Sequence, residues 1–292
     1  MRQPATRAEL QRLQRLGQAR ARRQAGELLV EGPRVLAEAL IAGLVPSLVA
    51  VSERAAETHA ELLTAVEAAG APVRVADAER LARAADAAHG PGLLAAVPMP
   101  AAPEAGPQSE AGPQSEAGPA QGPGLTPLQT RSGARLELAL AGLQDPGNVG
   151  TLVRSARGFA AGCVYLTPGT ADPWSPKALR ASAGAALHMP LRREAELSAL
   201  AARAASHQLT LLVASAAAPD SPGPGPGPGA GPVTELPARC LLVLGHETRG
   251  VPELPAAAAV AVPQRPELES LNVAMAGSIL MAGWYARCGS TS

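Results

Sequence analysis

Aromatic residues are scarce in this sequence of 292 residues. Phe159, two tryptophans and two tyrosines make up only 2% of the chain. Proteins that hold single-stranded nucleic acid by base stacking usually present several aromatic side chains on one surface. The composition therefore argues against base stacking as the main way in which this protein would bind a nucleic acid.

Cysteines and long apolar segments are also few. Cys163, Cys240 and Cys288 are odd in number, far apart and without the spacing of metal ligands. No apolar run reaches the roughly 20 residues that span a membrane, and the chain does not open with the pattern of a signal peptide. We therefore expect a protein of the reducing cytoplasm, with no disulfide framework, metal site or membrane span.

Lysine is almost absent, because the sequence has only Lys177 against 24 arginines. This ratio is typical of a GC-rich genome, so the number of arginines does not by itself indicate nucleic-acid binding. Overall the charge balances, with 25 basic and 25 acidic residues. Residues 1–23, however, hold seven arginines against Glu9 alone. Such a segment favours a polyanionic partner, although a solvated helix face or a mitochondrial transit peptide would give the same pattern.

Residues 1–99 alternate β-type and helical patterns, which predicts a small α/β domain. The predicted strands cover 28–30, 47–52, 72–76 and 92–99, and the predicted helices cover 4–24, 55–69 and 78–87, with one more that ends at Gly43. Residues 100–134 follow as a Pro-, Gly-, Ser-, Glu- and Gln-rich linker with a repeated six-residue unit. Too few apolar groups are present there to offset the entropy of ordering, so we expect a disordered tether.

Residues 135–292 predict a second α/β domain, with a low-complexity loop insertion at 219–232. Its strands are almost wholly apolar, which is typical of a parallel sheet covered on both faces. The predicted strands cover 136–142, 163–169, 210–216, 240–245 and 259–263. One predicted helix follows a glycine-bearing turn within DPGNVGTLVRSARGFAAG, and the others cover 175–186, 198–206 and 272–287.

Polar residues follow three of these strands. Asp145, Asn148 and Arg154 come after the first, with Arg154 expected about one turn into the next helix. Glu247 stands beyond a buried strand, where the ligand crevice of an open α/β sheet usually lies. The third stretch, SLNVAMAGSILM at 270–281, is by itself also readable as an N-capped core helix. Together the three loops predict a ligand site at one edge of the sheet.

Three motifs carry a resemblance to a known family: DPGNVGTLVRSARGF, LLVLGHETRGVP and VAVPQRPELESLNVAMAGSILM. In this order they resemble the motifs of the SpoU (TrmH) family of RNA ribose 2′-O-methyltransferases, enzymes of the SPOUT class whose cofactor site is a trefoil knot. DPWSPKALRASAGAALHMP resembles the stretch between the first two motifs. ARRQAGELLVEGPRVLAEAL resembles the RNA-substrate-binding domain that many members carry in front. The implied architecture is this small domain followed by a knotted parallel-sheet α/β domain.

The resemblance implies S-adenosyl-L-methionine (AdoMet) as cofactor, rRNA or tRNA as substrate, and a homodimer formed through the C-terminal domain. The implied site residues fall into three groups. Arg154, Asn148, Glu247, Ser270 and Asn272 would serve catalysis; Leu244, Gly245, Gly250, Val262, Leu271 and Val273 would hold AdoMet; and Arg20, Arg22, Arg23, Arg34, Lys177 and Arg180 would contact RNA.

The identity of the proton acceptor stays open. Family accounts propose the arginine of the first motif, here Arg154, as the base, but a guanidinium normally remains protonated, so orienting a ribose phosphate is the physically easier role for it. His246 replaces the more usual Asn and is interpreted as a tolerated variant. Ala160 replaces the usual Gly and is expected to tighten helix packing slightly.

Two other functions fit the sequence less well. A non-catalytic RNA-binding or ribosome-assembly factor could keep the same fold, and a related methyltransferase could modify a base instead of a ribose. The motif residues are all present, which favours the enzyme.

Overall fold

The computed structural model describes residues 2–86, 90, 92–100, 133–214, 236–246, 250–251, 254, 257–265, 267 and 270–289. The predicted disordered linker at 100–134 lies outside this part of the chain except at its ends, and the predicted loop insertion at 219–232 lies wholly outside it. Two compact units are formed: the first contains the described residues of 1–101 together with Asp172–His188, and the second contains those of 126–171 and 189–292.

The N-terminal part of the chain alternates short strands with helices. Its elements are β1 (Gln3–Pro4), α1 (Arg7–Arg15), α2 (Ala19–Ala25), β2 (Glu27–Glu31), α3 (Pro33–Ile41), β3 (Leu48–Val51), α4 (Glu53–Thr58), α5 (Ala60–Ala68), β4 (Val73–Val75), α6 (Ala78–Ala84) and β5 (Leu93–Pro98). Within the described residues these strands form one sheet in the order β1-β4-β3-β5-β2. β1, β4 and β3 are parallel, whereas β5 runs antiparallel to both β3 and β2.

The C-terminal part follows the same alternation. Its elements are β6 (Arg135–Ala141), α7 (Pro146–Gly158), β7 (Val164–Leu166), α8 (Pro176–Ala181), a 3-10 turn (Ala185–Leu187), β8 (Leu191–Arg193), α9 (Leu197–Ser206), β9 (Thr210–Ala214), β10 (Arg239–Gly245), β11 (Ala258–Val260) and α10 (Val273–Cys288). The described strands pair in the order β11-β9-β10-β6-β7-β8, and every pair is parallel. This confirms the parallel-sheet α/β class that the apolar strands predicted.

The centre of this sheet is buried because β6 and β10 carry almost only apolar side chains. Leu138, Leu140, Leu242 and Leu244 are fully buried. Strands covered on both faces require such sequences, since an unpaired polar group there would lose its water contacts. Glu137 of β6 is the exception, and its charge is neutralised by arginines described below.

Some predicted elements differ from the observed ones. The helix predicted at 4–24 is two helices, the one at 55–69 is interrupted at His59, and the one at 175–186 breaks before Gly184, which has a φ of 85°. β1 and β8, strands of two and three residues, were not predicted. None of the described helices is long and apolar enough to span a membrane.

Ala160, which was expected to tighten helix packing, has a positive φ angle in the structure. It follows the end of α7 with a φ of 58°, in the left-handed region. Glycine adopts this conformation without strain, whereas the Cβ of alanine approaches the backbone. The methyl group therefore strains the turn after α7.

Candidate active site

The loops after β6 and β10 lie side by side because these strands are paired neighbours. The pairing runs in register to the strand ends, where Gly245 lies opposite Ala141. Both loops therefore leave the same, carboxyl edge of the sheet, where open α/β sheets place their ligands. This is the edge at which the sequence predicted a site.

The start of α7 is fixed by local sequence. The Asp145 carboxylate accepts hydrogen bonds from the backbone N–H groups of Gly147 (2.5 Å) and Asn148 (3.2 Å), and Pro146 occupies the first helical position. An aspartate cap followed by proline is a strong helix-starting signal, because proline has no N–H to satisfy. Asn148 is thereby held in the first turn of the helix, at the edge of the sheet.

The start of α10 is capped in the same way. Asn272 Oδ1 accepts from the N–H groups of Ala274 (2.9 Å) and Met275 (3.3 Å). The other end of the same amide, Nδ2, donates to Asn148 Oδ1 at 3.2 Å. Asn272 therefore caps its own helix and also reaches the first turn of α7. The structure thus brings together two of the predicted catalytic residues, Asn148 and Asn272.

Arg154 lies farther along α7 than expected. It is eight residues after Pro146, or about two helical turns rather than one, and its side chain is exposed. Ser270 is also exposed, two residues before the cap of α10. Glu247, the remaining predicted catalytic residue, lies outside the described residues.

His246 and Gly250, which follow β10, pair through their backbones. His246 N–H donates to Gly250 O (3.1 Å) and Gly250 N–H donates to His246 O (2.8 Å). A Cβ on Gly245 would come within 2.5 Å of the Gly250 backbone, and Gly250 itself has a φ of 63°. Both glycines are therefore required by the backbone path at this point.

The apolar residues predicted to hold a cofactor differ in accessibility. Val262, Leu271 and Val273 are half-buried, so part of each side chain can contact a ligand. Leu244 is fully buried, and its side chain packs against Gly277 of α10. A Cβ added at Gly277 would lie only 2.5 Å from the Leu244 side chain. Leu244 packs beneath α10, so only its backbone is left for a cofactor contact.

Four of the six residues predicted to bind RNA are exposed: Arg20, Arg23, Arg34 and Lys177. Arg22 is instead 2% exposed. Its guanidinium donates to the carbonyls of Leu16 (3.0 Å) and Gly17 (2.8 Å) and to Asp172 Oδ2 (2.5 Å), all within the first compact unit. Reaching RNA would require Arg22 to break all three bonds.

Arg180 is engaged in a similar way. It is half-buried in α8 and forms ion pairs with Glu31, which is buried in β2, and with Asp86 Oδ2 at 3.2 Å. A third pair of the same unit joins His188 Nε2 and Glu38 Oε2 at 2.9 Å. Residues 172–188 are therefore held to the N-terminal part of the chain by arginine–carboxylate ion pairs and a histidine–glutamate hydrogen bond that the sequence pattern did not indicate.

A buried carboxylate in β6 was also missed. Glu137 accepts from Arg203 at 2.8 Å through both of its oxygens and from Arg135 at 2.9 Å, and Arg203 lies 5.5 Å from the ring centre of Tyr165. Burial alone raises the pKa of Glu137, but the hydrogen bonds and charges of Arg203 and Arg135 outweigh burial and lower it. In the sequence, the indication of this buried carboxylate was a single glutamate among the apolar residues of the strand.

Comparison with known proteins identifies two regions. Residues 135–282 match the family model of the SpoU rRNA Methylase family, and residues 8–95 match that of the MRM3-like substrate binding domain. The chain is 28% identical over 275 residues to an uncharacterized tRNA/rRNA methyltransferase of Synechocystis, covering 93% of this chain and 88% of the relative. It is 53% identical to human mitochondrial rRNA methyltransferase 3 over 49 residues, which are 17% of this chain and 12% of the human protein.

Solved structures share the fold over nearly the whole chain. One, described as an RNA 2′-O ribose methyltransferase, has a TM-score of 0.72 at 23% identity and covers 98% of this chain and 99% of its own. The SpoU methyltransferase AviRb from Streptomyces viridochromogenes, solved in complex with AdoMet, has a TM-score of 0.68 at 22% identity and covers 97% and 98%.

Proposed function

The chain belongs to the SpoU rRNA methylase family, and from this premise we propose that it transfers a methyl group from AdoMet to the ribose 2′-hydroxyl of a nucleotide in rRNA or tRNA. The enzyme is an RNA methyltransferase, and AdoMet is its methyl donor. The hydrogen bond between Asn272 and Asn148 carries the proposal, because it joins two of the family's motifs at the ligand-binding edge of the sheet.

The residues present fit AdoMet. Half-buried Val262, Leu271 and Val273 offer apolar surface to an adenine, and the backbone at Gly245 and Gly250 offers polar groups for its edge. When bound, AdoMet supplies a methyl group activated by a positively charged sulfur. The role of the protein is then to hold the attacking oxygen in line with this carbon and sulfur.

The remaining site residues would act on the ribose. As the C–O bond forms and the C–S bond breaks, the 2′-hydroxyl must lose its proton. Arg154 is exposed on α7 and is suited to bind the neighbouring phosphate, since a guanidinium presents a fixed fork of N–H donors that matches phosphate oxygens. Asn148, Asn272 and Ser270 would orient the sugar. Glu247 is the carboxylate of the second motif and is the candidate for orienting Arg154 or accepting the proton.

RNA would be recognised by the first compact unit. Arg20, Arg23, Arg34 and Lys177 are exposed there and can neutralise phosphates. Arg22 and Arg180 are left out of this surface because ion pairs engage them. Removing residues 1–98 would test the role poorly, because residues 172–188 would lose their charged partners. Charge-removing substitutions at the exposed positions should weaken RNA binding more than AdoMet binding.

A homodimer is part of the same proposal. Met275 and Ile279 are 58% and 48% exposed and lie four residues apart on one face of α10. An exposed apolar face suits a second copy of the chain, as two-fold dimers bury the same surface of both subunits.

The proposal also includes the knotted chain path implied by the family and a cytoplasmic location. The three free, buried cysteines support the cytoplasmic location.

Incubating the full chain with transcribed rRNA and tRNA and methyl-labelled AdoMet tests the activity. Alkaline hydrolysis needs a free 2′-hydroxyl, so the label should appear in an alkali-resistant dinucleotide identified by mass spectrometry. A label in ordinary mononucleotides would indicate base methylation. Calorimetry that detects no AdoMet binding would instead favour a non-catalytic RNA-binding factor.

A further inference from the structure

A second pair of side chains joins α7 and α10 beyond the asparagine pair. Ser155 Oγ and Ser278 Oγ lie 2.7 Å apart, and Ser278 Oγ is 2.6 Å from the carbonyl oxygen of Ala274. A hydroxyl carries one hydrogen and a carbonyl can only accept, so Ser278 donates to Ala274 and Ser155 donates to Ser278. The direction of both hydrogen bonds is therefore fixed.

The residue before Ser278 allows the two helices to approach closely. A Cβ on Gly277 would lie 2.5 Å from Leu244 Cδ1 and 2.6 Å from Leu152 Cδ2, two fully buried leucines of β10 and α7. Such distances cannot be accommodated without moving a helix or the leucines. Gly277 therefore sets how deeply α10 seats against α7 and the sheet.

The asparagine pair cannot set this arrangement by itself. Asn272 is exposed, and a single neutral hydrogen bond at the surface adds little because water competes for both groups. Ser155 lies seven residues after Asn148, two turns along the same face of α7. The serine pair and Gly277 thus fix the register of the helices from the more buried side, and the asparagines meet as a consequence.

We propose that Gly277 and the Ser155–Ser278 hydrogen bond are positioning elements for methyl transfer, because they hold Asn272 of α10 against Asn148 of α7. None of the three residues has to touch the substrate. This inference rests on the proposed function, in which the two asparagines orient the ribose.

Ser155→Ala and Ser278→Ala test the proposal in the full chain. Each should lower kcat about tenfold and leave KM for RNA and for AdoMet within about twofold, because the substrates still bind while the asparagines are less well placed. The double variant should lose no more than either single variant, since the two hydroxyls act as one unit. Ser155→Thr keeps the hydroxyl and should retain most of kcat, and Ser198→Ala on exposed α9 is the matched control.

A readout independent of turnover separates the two hypotheses. The side-chain amide resonances of Asn272 in an NMR spectrum should shift in Ser155→Ala and Ser278→Ala but not in Ser198→Ala. If wild type transfers no methyl group, the proposed function fails, and these resonances still test the positioning. Unchanged kcat in both variants, or a reduced kcat with unshifted Asn272 resonances, would overturn the positioning role.

Gly277→Ala gives a stronger perturbation of the same contact. It should lower kcat about 100-fold and also weaken AdoMet binding, because Val273 and Leu271 stand at the start of the displaced helix. Should this variant fail to fold, the serine variants decide the question alone. A folded Gly277→Ala variant with wild-type kcat would contradict the inferred role of the glycine.

Discussion

Arg180 in α8 donates to the carboxylate of Glu31, whose side chain is completely buried in β2. The two residues are 149 positions apart in the sequence and belong to the same compact unit. Arg180 also pairs with Asp86, and Arg22 pairs with Asp172. Ion pairs therefore engage two arginines that the sequence predicts as RNA contacts, and we expect their loss to lower stability first.

Arg180→Met tests this assignment. Removing one partner of a buried pair leaves an uncompensated charge, here Glu31, and should lower the free energy of unfolding by about 3 kcal/mol. Urea denaturation measures the change, and Arg34→Met, at an exposed position of α3, should change it by less than about 0.5 kcal/mol. Lost RNA affinity at unchanged stability would instead return Arg180 to the RNA-binding surface.

Ala160→Gly should stabilise the protein. The residue adopts a φ of 58° after the end of α7, and replacing a strained left-handed alanine by glycine should raise the free energy of unfolding by about 1 kcal/mol, less the extra freedom glycine gains in the unfolded chain. Thermal unfolding would show a higher Tm. Ala202→Gly, in the exposed middle of α9, should lower Tm, because there glycine only weakens the helix. A lower Tm for both variants would contradict the strain argument.

Glu137 should make stability depend on acid pH. Its pKa is lowered from the ordinary value of 4.5 in the folded chain, burial being outweighed by Arg203 and Arg135. A depressed pKa stabilises the fold above the unfolded value and loses this contribution as pH falls through the folded value. Glu137→Gln should therefore lower the free energy of unfolding by about 3 kcal/mol at neutral pH and reduce its decline below about pH 4.5. Urea denaturation across this pH range, with exposed Glu194→Gln as control, measures both effects.

The sequence predicted the sheet of the second unit well because its strands are continuous apolar runs, which are typical of a buried parallel sheet. β10 reads RCLLVLG, and a run of this kind is stable only when covered on both faces. Asn148 and Asn272 were predictable as neighbours because strand ends and helix caps follow local rules. The 3.2 Å bond between them was not, since it depends on how α10 packs against α7.

The roles of individual arginines could not be predicted. Arg20, Arg22 and Arg23 look alike in the sequence, yet only Arg22 is buried, because Asp172 approaches it from 150 residues away. Likewise, nothing local indicates that residues 172–188 join the N-terminal part of the chain. Such pairings depend on tertiary contacts, and these cannot be predicted from the positions of charged residues along the chain.

Arg154→Ala should abolish methyl transfer and leave the dissociation constant for AdoMet within about threefold. Arg154 is exposed on α7, whereas the proposed AdoMet contacts come from the loop after β10 and from the start of α10. Activity is measured with labelled AdoMet and binding by calorimetry, with exposed Arg192→Ala as a matched control. Loss of AdoMet binding in the variant would show that Arg154 belongs to the cofactor pocket.

The exposed apolar face of α10 predicts a concentration-dependent dimer. Met275→Glu combined with Ile279→Glu places two negative charges on this face of each subunit. A two-fold interface would bring these four negative charges together in the absence of water, which should prevent dimer formation. Sedimentation should show a dimer for wild type and a monomer for the variant, while Tm at low protein concentration stays nearly unchanged because both side chains are already exposed. The matched control is Ile41→Glu with Val45→Glu, which charges a comparably exposed apolar pair of the first unit. If the control dissociates the dimer and the α10 variant does not, the interface lies on the first unit instead.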